Sequence, residues 1–135
     1  LPENFLIMNG DVLTNLNFKN FYQYHIENDK IFTISSFIRE QKNDYGVLLS
    51  NEKSNLIGFE EKPTTTFNVS MGIYMANKEI LNYIPENKSF GFDQLMLDMI
   101  KKKMEVSVKN FNGYWLDIGR PDDYDKAIQD IDKII

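Results

Sequence analysis

The stretch FLIMNGDVLTN, residues 5–15, decides how the chain folds. Asn-Gly between two apolar runs is typical of a tight β-hairpin turn. The second run, however, ends after Leu13, and the sequence that follows resembles the approach to a helix rather than a return strand. We therefore predict a buried strand over residues 5–9, a sharp turn that holds Asp11, and a crossover helix from Phe18. In open α/β sheets, ligands bind at the carboxyl ends of strands, so Asp11 is a candidate ligand-binding residue.

The composition is that of an ordinary globular protein. Hydrophobic residues make up 42% of the 135 positions and charged residues 26%, which fits one domain over residues 1–135. The net charge of −5 and the lack of a basic stripe argue against nucleic-acid binding. No apolar run reaches the ~18 residues of a membrane span. The absence of cysteine excludes disulfides and cysteine-ligated zinc and fits a cytoplasmic protein.

Apolar spacing predicts alternating strands and helices along the whole chain. Strands are expected over 5–9, 31–38, 45–50, 56–62, 67–76, 104–110 and 114–116. Helices are expected from Phe18, from Asn77 to Ile84, over 93–103, and from Pro121, with the last helix showing an apolar stripe of Tyr124, Ala127, Ile128, Ile131 and Ile135. This pattern predicts an α/β fold with a mixed, mostly parallel sheet flanked by helices.

The beginning of the chain predicts a part of a longer protein. LPENFLIM lacks an initiator Met and reaches a strand within four residues. A first strand without an upstream neighbour would be a sheet edge, and exposed edges recruit partners. We therefore expect the chain to associate with itself as a homo-oligomer.

Two aspartates are candidate metal ligands. Asp11 and Asp117 each follow an apolar strand directly, at a strand-to-helix turn. If their strands enter one crevice, the pair suits Mg²⁺, which binds one or two carboxylates together with substrate phosphates. The alternative is that each aspartate caps the turn or helix that follows it.

A second group of candidates lies in the middle of the chain. Lys62, before Pro63, would project from a strand end as a point charge for a phosphate, or form a surface ion pair with Glu60 or Glu61. Gly46 and Gly72 each permit close approach of a ligand to the backbone, or mark a bulge. His25 lies on the apolar face of the first helix, and we expect it to be a hydrogen-bonded core residue.

Five motifs in order resemble one enzyme family. They are MNGD (8–11), YGVL (45–48), FEEKP (59–63), GIY (72–74) and YWLDIGRPDDY (114–124). Together they resemble the sugar-1-phosphate nucleotidyltransferases, with mannose-1-phosphate guanylyltransferases and the enzymes acting on heptose phosphates most similar. The resemblance covers roughly residues 5–130 and implies a Rossmann-like, GT-A-like fold that lacks its N-terminal nucleotide-binding part. It also implies that the piece alone is inactive.

The resemblance implies a role for each candidate. Asp11 and Asp117 would hold Mg²⁺, and Lys62 would contact the phosphate of the sugar-1-phosphate. The sugar would be bound by Glu61, by the backbone of Gly46 and by the strand that carries Ser70 and Gly72. The reaction implied joins an NTP, GTP above the others, to a sugar-1-phosphate with release of pyrophosphate.

This sequence departs from the family pattern in two places. Relatives commonly have Asn-Ala-Gly before Ile-Tyr, whereas this chain has Ser70-Met71-Gly72, which puts the identity of the sugar in doubt. The glycine-rich loop that grips the nucleotide in the family is also absent from the sequence.

Two other functions remain open at this stage. A non-catalytic regulatory or scaffold domain would keep the fold, although it would not need Asp11, Lys62 and Asp117. A metal-dependent glycosyltransferase would be expected to carry an Asp-x-Asp triplet in place of NGD and would give EEKP no role.

Overall fold

The computed structural model describes residues 1–134, so Ile135, predicted to extend the stripe of the last helix, lies outside the described residues. The strands are β1 (Asn4–Met8), β2 (Val12–Thr14), β3 (Phe32–Lys42), β4 (Val47–Ser50), β5 (Leu56–Glu60), β6 (Thr64–Asn77), β7 (Val106–Asn110) and β8 (Trp115–Asp117). The helices are α1 (Phe18–Asn28), a 3₁₀ helix (Lys78–Tyr83), α2 (Phe92–Lys101) and α3 (Pro121–Ile134). The mixed sheet and flanking helices confirm the predicted α/β class.

Four strands form the main sheet in the order β1-β6-β3-β7. β1 pairs with β6 in antiparallel fashion and β3 pairs with β7 in parallel, so the sheet is mixed. β1 lies at an edge, and its residues Leu6, Ile7 and Met8 are 39–43% exposed. The prediction that β1 is covered on both faces is therefore wrong. An unbroken apolar run in the sequence does not distinguish an edge strand from a central one.

β6 is buried on both faces of the sheet over residues 71–76. Tyr74 and Ala76 belong to one core cluster and Ile73 and Met75 to the other, as the alternation of side chains along a strand requires. The first cluster contains Phe32, Tyr74, Ala76, Ile80, Leu95 and Met99. The second contains Phe21, Met71, Ile73 and Met75, with Trp115 packed against it. β6 therefore contributes side chains to both core clusters.

A small second sheet joins the start of the chain to its end. β2 and β8 pair in antiparallel fashion, with Val12 opposite Asp117 and Thr14 opposite Trp115. As predicted, the turn after β1 does not close a hairpin. β2 pairs with β8 rather than with β1. The prediction that no strand follows this turn is wrong, because β2 follows it. A three-residue strand is too short for an alternation of apolar and polar residues to be recognised in the sequence.

The helices begin where polar side chains satisfy their free N–H groups. Asn17 caps α1 by accepting a hydrogen bond from the N–H of Asn20, and Asn77 caps the 3₁₀ helix through the N–H of Glu79. The α3 helix is tied to β8 by the hydroxyl of Tyr114, which donates a 2.6 Å hydrogen bond to Asp130. Burial, together with this bond, raises the pKa of Tyr114 to about 12.

The chain divides into two compact units. One comprises Leu1–Phe37 together with the residues from Ser70 onward, and the other comprises Ile38–Val69. The second unit contains the predicted hairpin, in which β4 and β5 pair in antiparallel fashion with Val47 opposite Glu60. None of the helices within residues 1–134 is long and apolar enough to cross a membrane.

Candidate functional site

Asp11, in the turn directly before β2, lies beside Asp117, the last residue of β8. Val12 is opposite Asp117, and the backbone N–H of Ile118 donates a 2.7 Å hydrogen bond to the carbonyl oxygen of Asp11. Paired strands are about 4.8 Å apart, so the two aspartates are close in space although over a hundred positions separate them. A regular pleat would turn neighbouring side chains to opposite faces, but Asp11 lies in the turn before β2, where that alternation does not apply.

The surroundings of the two carboxylates leave them free for a ligand. Both residues are exposed, and within residues 1–134 neither side chain takes part in a hydrogen bond or an ion pair. A Cβ added to Gly10 or to Gly119 would meet no atom within 4 Å, so the backbone beside each aspartate borders open space. Asp11 does not cap α1, because Asn17 does.

The two carboxylates that the chain supplies here are a donor set that fits Mg²⁺. Mg²⁺ binds through one or two carboxylates plus substrate phosphates and keeps several waters, so it needs no cage of protein ligands. No cluster of three or more acidic, histidine or cysteine ligands occurs in the part of the chain that the structure describes. A role for Asp11 and Asp117 in metal binding stays a prediction.

Ser70 and Gly72 lie together on β6, beside the turn that carries Asp11. The N–H of Gly72 donates a 3.3 Å hydrogen bond to the hydroxyl oxygen of Ser70. The carbonyl oxygen of Gly72 accepts a 2.9 Å hydrogen bond from the N–H of Asn9. Asn9 was not among the residues selected from sequence, and its only signal there is its place before Gly10 and Asp11.

Within the second unit, Gly46 and Glu61 are neighbours. A Cβ on Gly46 would lie 3.6 Å from a carboxylate oxygen of Glu61 and only 2.9 Å from the ring of Phe59. Gly46 is therefore required for close packing of the Phe59 ring on the backbone at this point. The arrangement brings two of the predicted sugar-binding residues to one place.

Lys62 has a backbone conformation that its sequence did not predict. β5 ends at Glu60 rather than at Lys62, and Lys62 has a φ of 44°, in the left-handed region. A residue with a Cβ pays roughly 1–2 kcal/mol for this conformation. Strain of this kind concentrates at functional sites, so the observation is consistent with a constrained role for Lys62.

His25 belongs to the core, as predicted. Its Nδ1 lies 2.6 Å from the hydroxyl of Thr33 and its Nε2 lies 3.0 Å from the side-chain oxygen of Asn4. Because the amide oxygen of Asn4 can only accept, Nε2 carries a proton and donates it to Asn4. Burial lowers the pKa of His25 below its ordinary value. The ring links α1 to β1 and β3, so its role is in the fold.

Comparison with known proteins identifies the family. The sequence profile of the nucleotidyl transferases matches residues 2–134, nearly the whole chain. The chain therefore belongs to the nucleotidyl transferase family, as the five motifs indicated.

Relatives with assigned names are sugar-1-phosphate nucleotidyltransferases that differ in the nucleotide. The chain is 31% identical over 91% of its length to the catalytic subunit beta of mannose-1-phosphate guanylyltransferase from Drosophila pseudoobscura pseudoobscura, of which it covers 33%. It is 32% identical over 98% of its length to D-glycero-alpha-D-manno-heptose 1-phosphate guanylyltransferase from Aneurinibacillus thermoaerophilus, covering 58% of that enzyme. A glucose-1-phosphate adenylyltransferase from Halalkalibacterium halodurans is 29% identical. The chain thus spans between a third and three-fifths of these proteins.

The fold also matches that of solved structures. HddC from Yersinia pseudotuberculosis, complexed with GMP-PN, superposes with a TM-score of 0.62 at 27% identity. The match covers 96% of this chain and 56% of HddC. The comparison confirms the nucleotidyltransferase fold that the resemblance implied.

Proposed function

We propose that the protein containing this chain joins an NTP to a sugar-1-phosphate, giving an NDP-sugar and pyrophosphate. An oxygen of the sugar-1-phosphate attacks the α-phosphorus of the NTP, the bond between the α-phosphorus and the bridging oxygen breaks, and pyrophosphate leaves. The observation that supports the proposal is the backbone pairing at β2 and β8, by which Asp11 and Asp117, from opposite ends of the chain, lie at neighbouring positions.

The main obstacle to this reaction is repulsion between two anions. Like unit charges ~4 Å apart cost about 4 kcal/mol at an effective dielectric constant of 20. Bound Mg²⁺ supplies charge neutralisation and alignment of phosphate oxygens. In the proposed site, Asp11 and Asp117 hold the ion, and within residues 1–134 neither carboxylate takes part in a hydrogen bond or ion pair that would compete with it.

The remaining candidates bind the sugar-1-phosphate. The ammonium of Lys62 contacts the attacking phosphate as a point charge. The carboxylate of Glu61 accepts hydrogen bonds from sugar hydroxyls, and the backbone of Gly46, which lies beside it, contributes a further polar contact. Ser70 and Gly72 act from β6, where the Ser70 hydroxyl lies within hydrogen-bond distance of both the Gly72 N–H and the Tyr74 hydroxyl.

GTP is the nucleotide we propose, because the five motifs most resemble those of guanylyltransferases and the similar HddC structure is complexed with GMP-PN. Sequence identity does not separate the nucleotides, because a glucose-1-phosphate adenylyltransferase from Bacillus cereus is 35% identical to the chain, the two guanylyltransferases are 31% and 32%, and a uridylyltransferase is 26%. The four NTPs therefore have to be compared directly. We also propose that the protein acts in the cytoplasm, where nucleoside triphosphates are available.

Self-association is a further proposal for the chain. β1 has β6 as its one neighbour among the described strands, and its exposed Leu6, Ile7 and Met8 offer apolar surface beside unpaired backbone groups. A second copy could pair along this edge. Sedimentation equilibrium tests it: a monomer at all concentrations would contradict the proposal.

The experiment that tests the proposed function is a pyrophosphate-release assay. The natural full-length protein is incubated with Mg²⁺, each of the four NTPs, and mannose-, glucose- and heptose-1-phosphates. We expect release that requires both substrates and Mg²⁺ and that is fastest with GTP. Hydrolysis of NTP without a sugar phosphate, or no release with any pair, would contradict the proposal. Metal-dependent transfer from a nucleotide-sugar to an acceptor would instead support a glycosyltransferase.

A further inference from the structure

The three residues Asn9, Gly10 and Asp11 are held at both of their ends. At one end, the N–H of Asn9 donates a 2.9 Å hydrogen bond to the carbonyl oxygen of Gly72. This bond continues the pairing of β1 with β6 beyond Met8 and Ile73. At the other end, the carbonyl oxygen of Asp11 accepts from Ile118. The turn thus connects the main sheet to the small sheet that carries Asp117.

The side chain of Asn9 lies directly over the backbone of Gly72. A Cβ on Gly72 would lie 2.4 Å from the Asn9 side-chain nitrogen, 3.0 Å from its Cγ and 3.3 Å from its Cβ. The space that a side chain at position 72 would occupy is therefore filled by Asn9. Gly72 also has a φ of 79°, a conformation that glycine adopts without strain.

Gly72 is itself fixed in place. It is buried between the core residues Met71 and Ile73, and its N–H donates to the hydroxyl of Ser70. A contact with Gly72 is therefore a contact with the most buried strand of the sheet. By comparison, a Cβ on Gly10 would meet nothing within 4 Å. Within the turn, the contact with Gly72 is therefore made by Asn9 and not by Gly10.

We propose that Asn9 is a positioning residue, which seats its side chain on Gly72 and thereby sets the place of the Asp11 carboxylate opposite β8. This inference rests on the proposed function, because it concerns the metal ligand Asp11. It gives Gly72 a role in addition to that of lining the sugar pocket: the absence of a side chain at position 72 makes room for Asn9. A misplacement of a catalytic group by about 1 Å can lower a rate by about 100-fold.

The test is a double-mutant cycle on Asn9 and Gly72 in the natural full-length protein. Gly72→Ala introduces a Cβ against Asn9, Asn9→Ala removes the side chain that is seated on Gly72, and the double variant combines the two changes. We expect Gly72→Ala and Asn9→Ala each to lower kcat by about 100-fold and to raise the Mg²⁺ concentration for half-maximal rate by about tenfold. The double variant is expected to be hardly worse than either single variant, because both changes disrupt the same contact.

Two results would overturn the proposal. Wild-type kcat and Mg²⁺ dependence in Asn9→Ala would mean that the Asn9 side chain does not position Asp11, and that strain at residue 72 causes the loss in Gly72→Ala. A rise in the KM for sugar-1-phosphate with an unchanged Mg²⁺ dependence would mean that Gly72 acts only on the sugar.

A second readout keeps the inference separate from the proposed function. Amide hydrogen exchange of Asn9 and Ile118, measured without metal or substrate, reports directly on the two hydrogen bonds that hold the turn. We expect Gly72→Ala and Asn9→Ala each to reduce protection at both amides. Unchanged protection in Gly72→Ala would overturn the positioning role. If the wild-type protein releases no pyrophosphate, the proposed function fails, and the exchange experiment still decides whether Asn9 positions Asp11.

Discussion

The backbone N–H of Ile118 donates a 2.7 Å hydrogen bond to the carbonyl oxygen of Asp11. This bond continues the β2–β8 pairing by one residue and brings the turn near the start of the chain beside the residue that follows Asp117. The neighbouring positions of the residues Asp11 and Asp117 result from backbone pairing alone. We therefore expect both residues to keep these positions when either carboxylate is neutralised.

Replacement of Lys62 is expected to separate its role in binding from its effect on stability. Both Lys62→Ala and Lys62→Gly remove the ammonium, so both should raise the KM for sugar-1-phosphate by about 10- to 100-fold, the range for a lost hydrogen bond to a charged group. Because glycine adopts the left-handed φ of 44° without strain, Lys62→Gly should have a Tm a few degrees above that of Lys62→Ala.

Steady-state kinetics and thermal unfolding of the two variants provide the measurements for Lys62. A change confined to the KM for the nucleotide would contradict the proposed contact with the sugar phosphate. Equal Tm values would show that residue 62 leaves its left-handed conformation when the lysine is replaced.

A methyl group at position 46 is expected to disturb sugar binding. Its Cβ would lie 2.9 Å from the Phe59 ring and 3.6 Å from the Glu61 carboxylate, so one of these must move. We expect Gly46→Ala to raise the KM for sugar-1-phosphate by about tenfold. Gly58→Ala is the matched control, because it adds a Cβ in the same hairpin against Leu49, at 3.2 Å, and not against Glu61. Equal KM values in the two variants would argue against a role for Gly46.

The stability of the protein is expected to fall when His25 takes up a proton. Burial lowers the pKa of His25 in the folded state, so between that pKa and the unfolded value of 6.5 the unfolded chain binds more protons. Stability is therefore fully present above pH 6.5 and decreases as the pH falls below it, by at most about 1.4 kcal/mol per pH unit for one proton.

Urea unfolding between pH 7.5 and 5 measures the effect of His25. The His25→Gln variant keeps a polar side chain but has no proton to bind in this range, so its free energy of unfolding should vary less with pH than that of the wild type. The same pH dependence in both proteins would assign the titration to other groups.

Much of the fold could be predicted from the sequence because local signals define its longer elements. The helix from Phe18 follows a 3.6-residue apolar spacing, and Asn77 begins a helical turn by capping it. The order of the strands could not be predicted in this way. Which strand lies next to β1 depends on contacts between distant parts of the chain, and the sequence has no local signal that β6 rather than β3 is its neighbour.

The candidate site was predictable to a different degree at each residue. Asp11 and Asp117 follow apolar strands, which was enough to expect them at the ends of neighbouring strands. Gly72 signalled a close approach, but not that the approaching group is Asn9, because that contact depends on the register of β1 with β6. The left-handed conformation of Lys62 was not predictable, since lysine rarely adopts it.

The most direct test of the account is a double-mutant cycle on the two aspartates. Asp11→Asn, Asp117→Asn and the double variant are assayed for Mg²⁺-dependent pyrophosphate release in the natural full-length protein, with thermal unfolding as the control for folding. The account predicts that each single change lowers kcat by about 100-fold or more and that the double variant is hardly worse than either, because two ligands of one ion act as a unit. Wild-type turnover in either single variant, or losses that multiply in the double variant, would contradict a shared metal site.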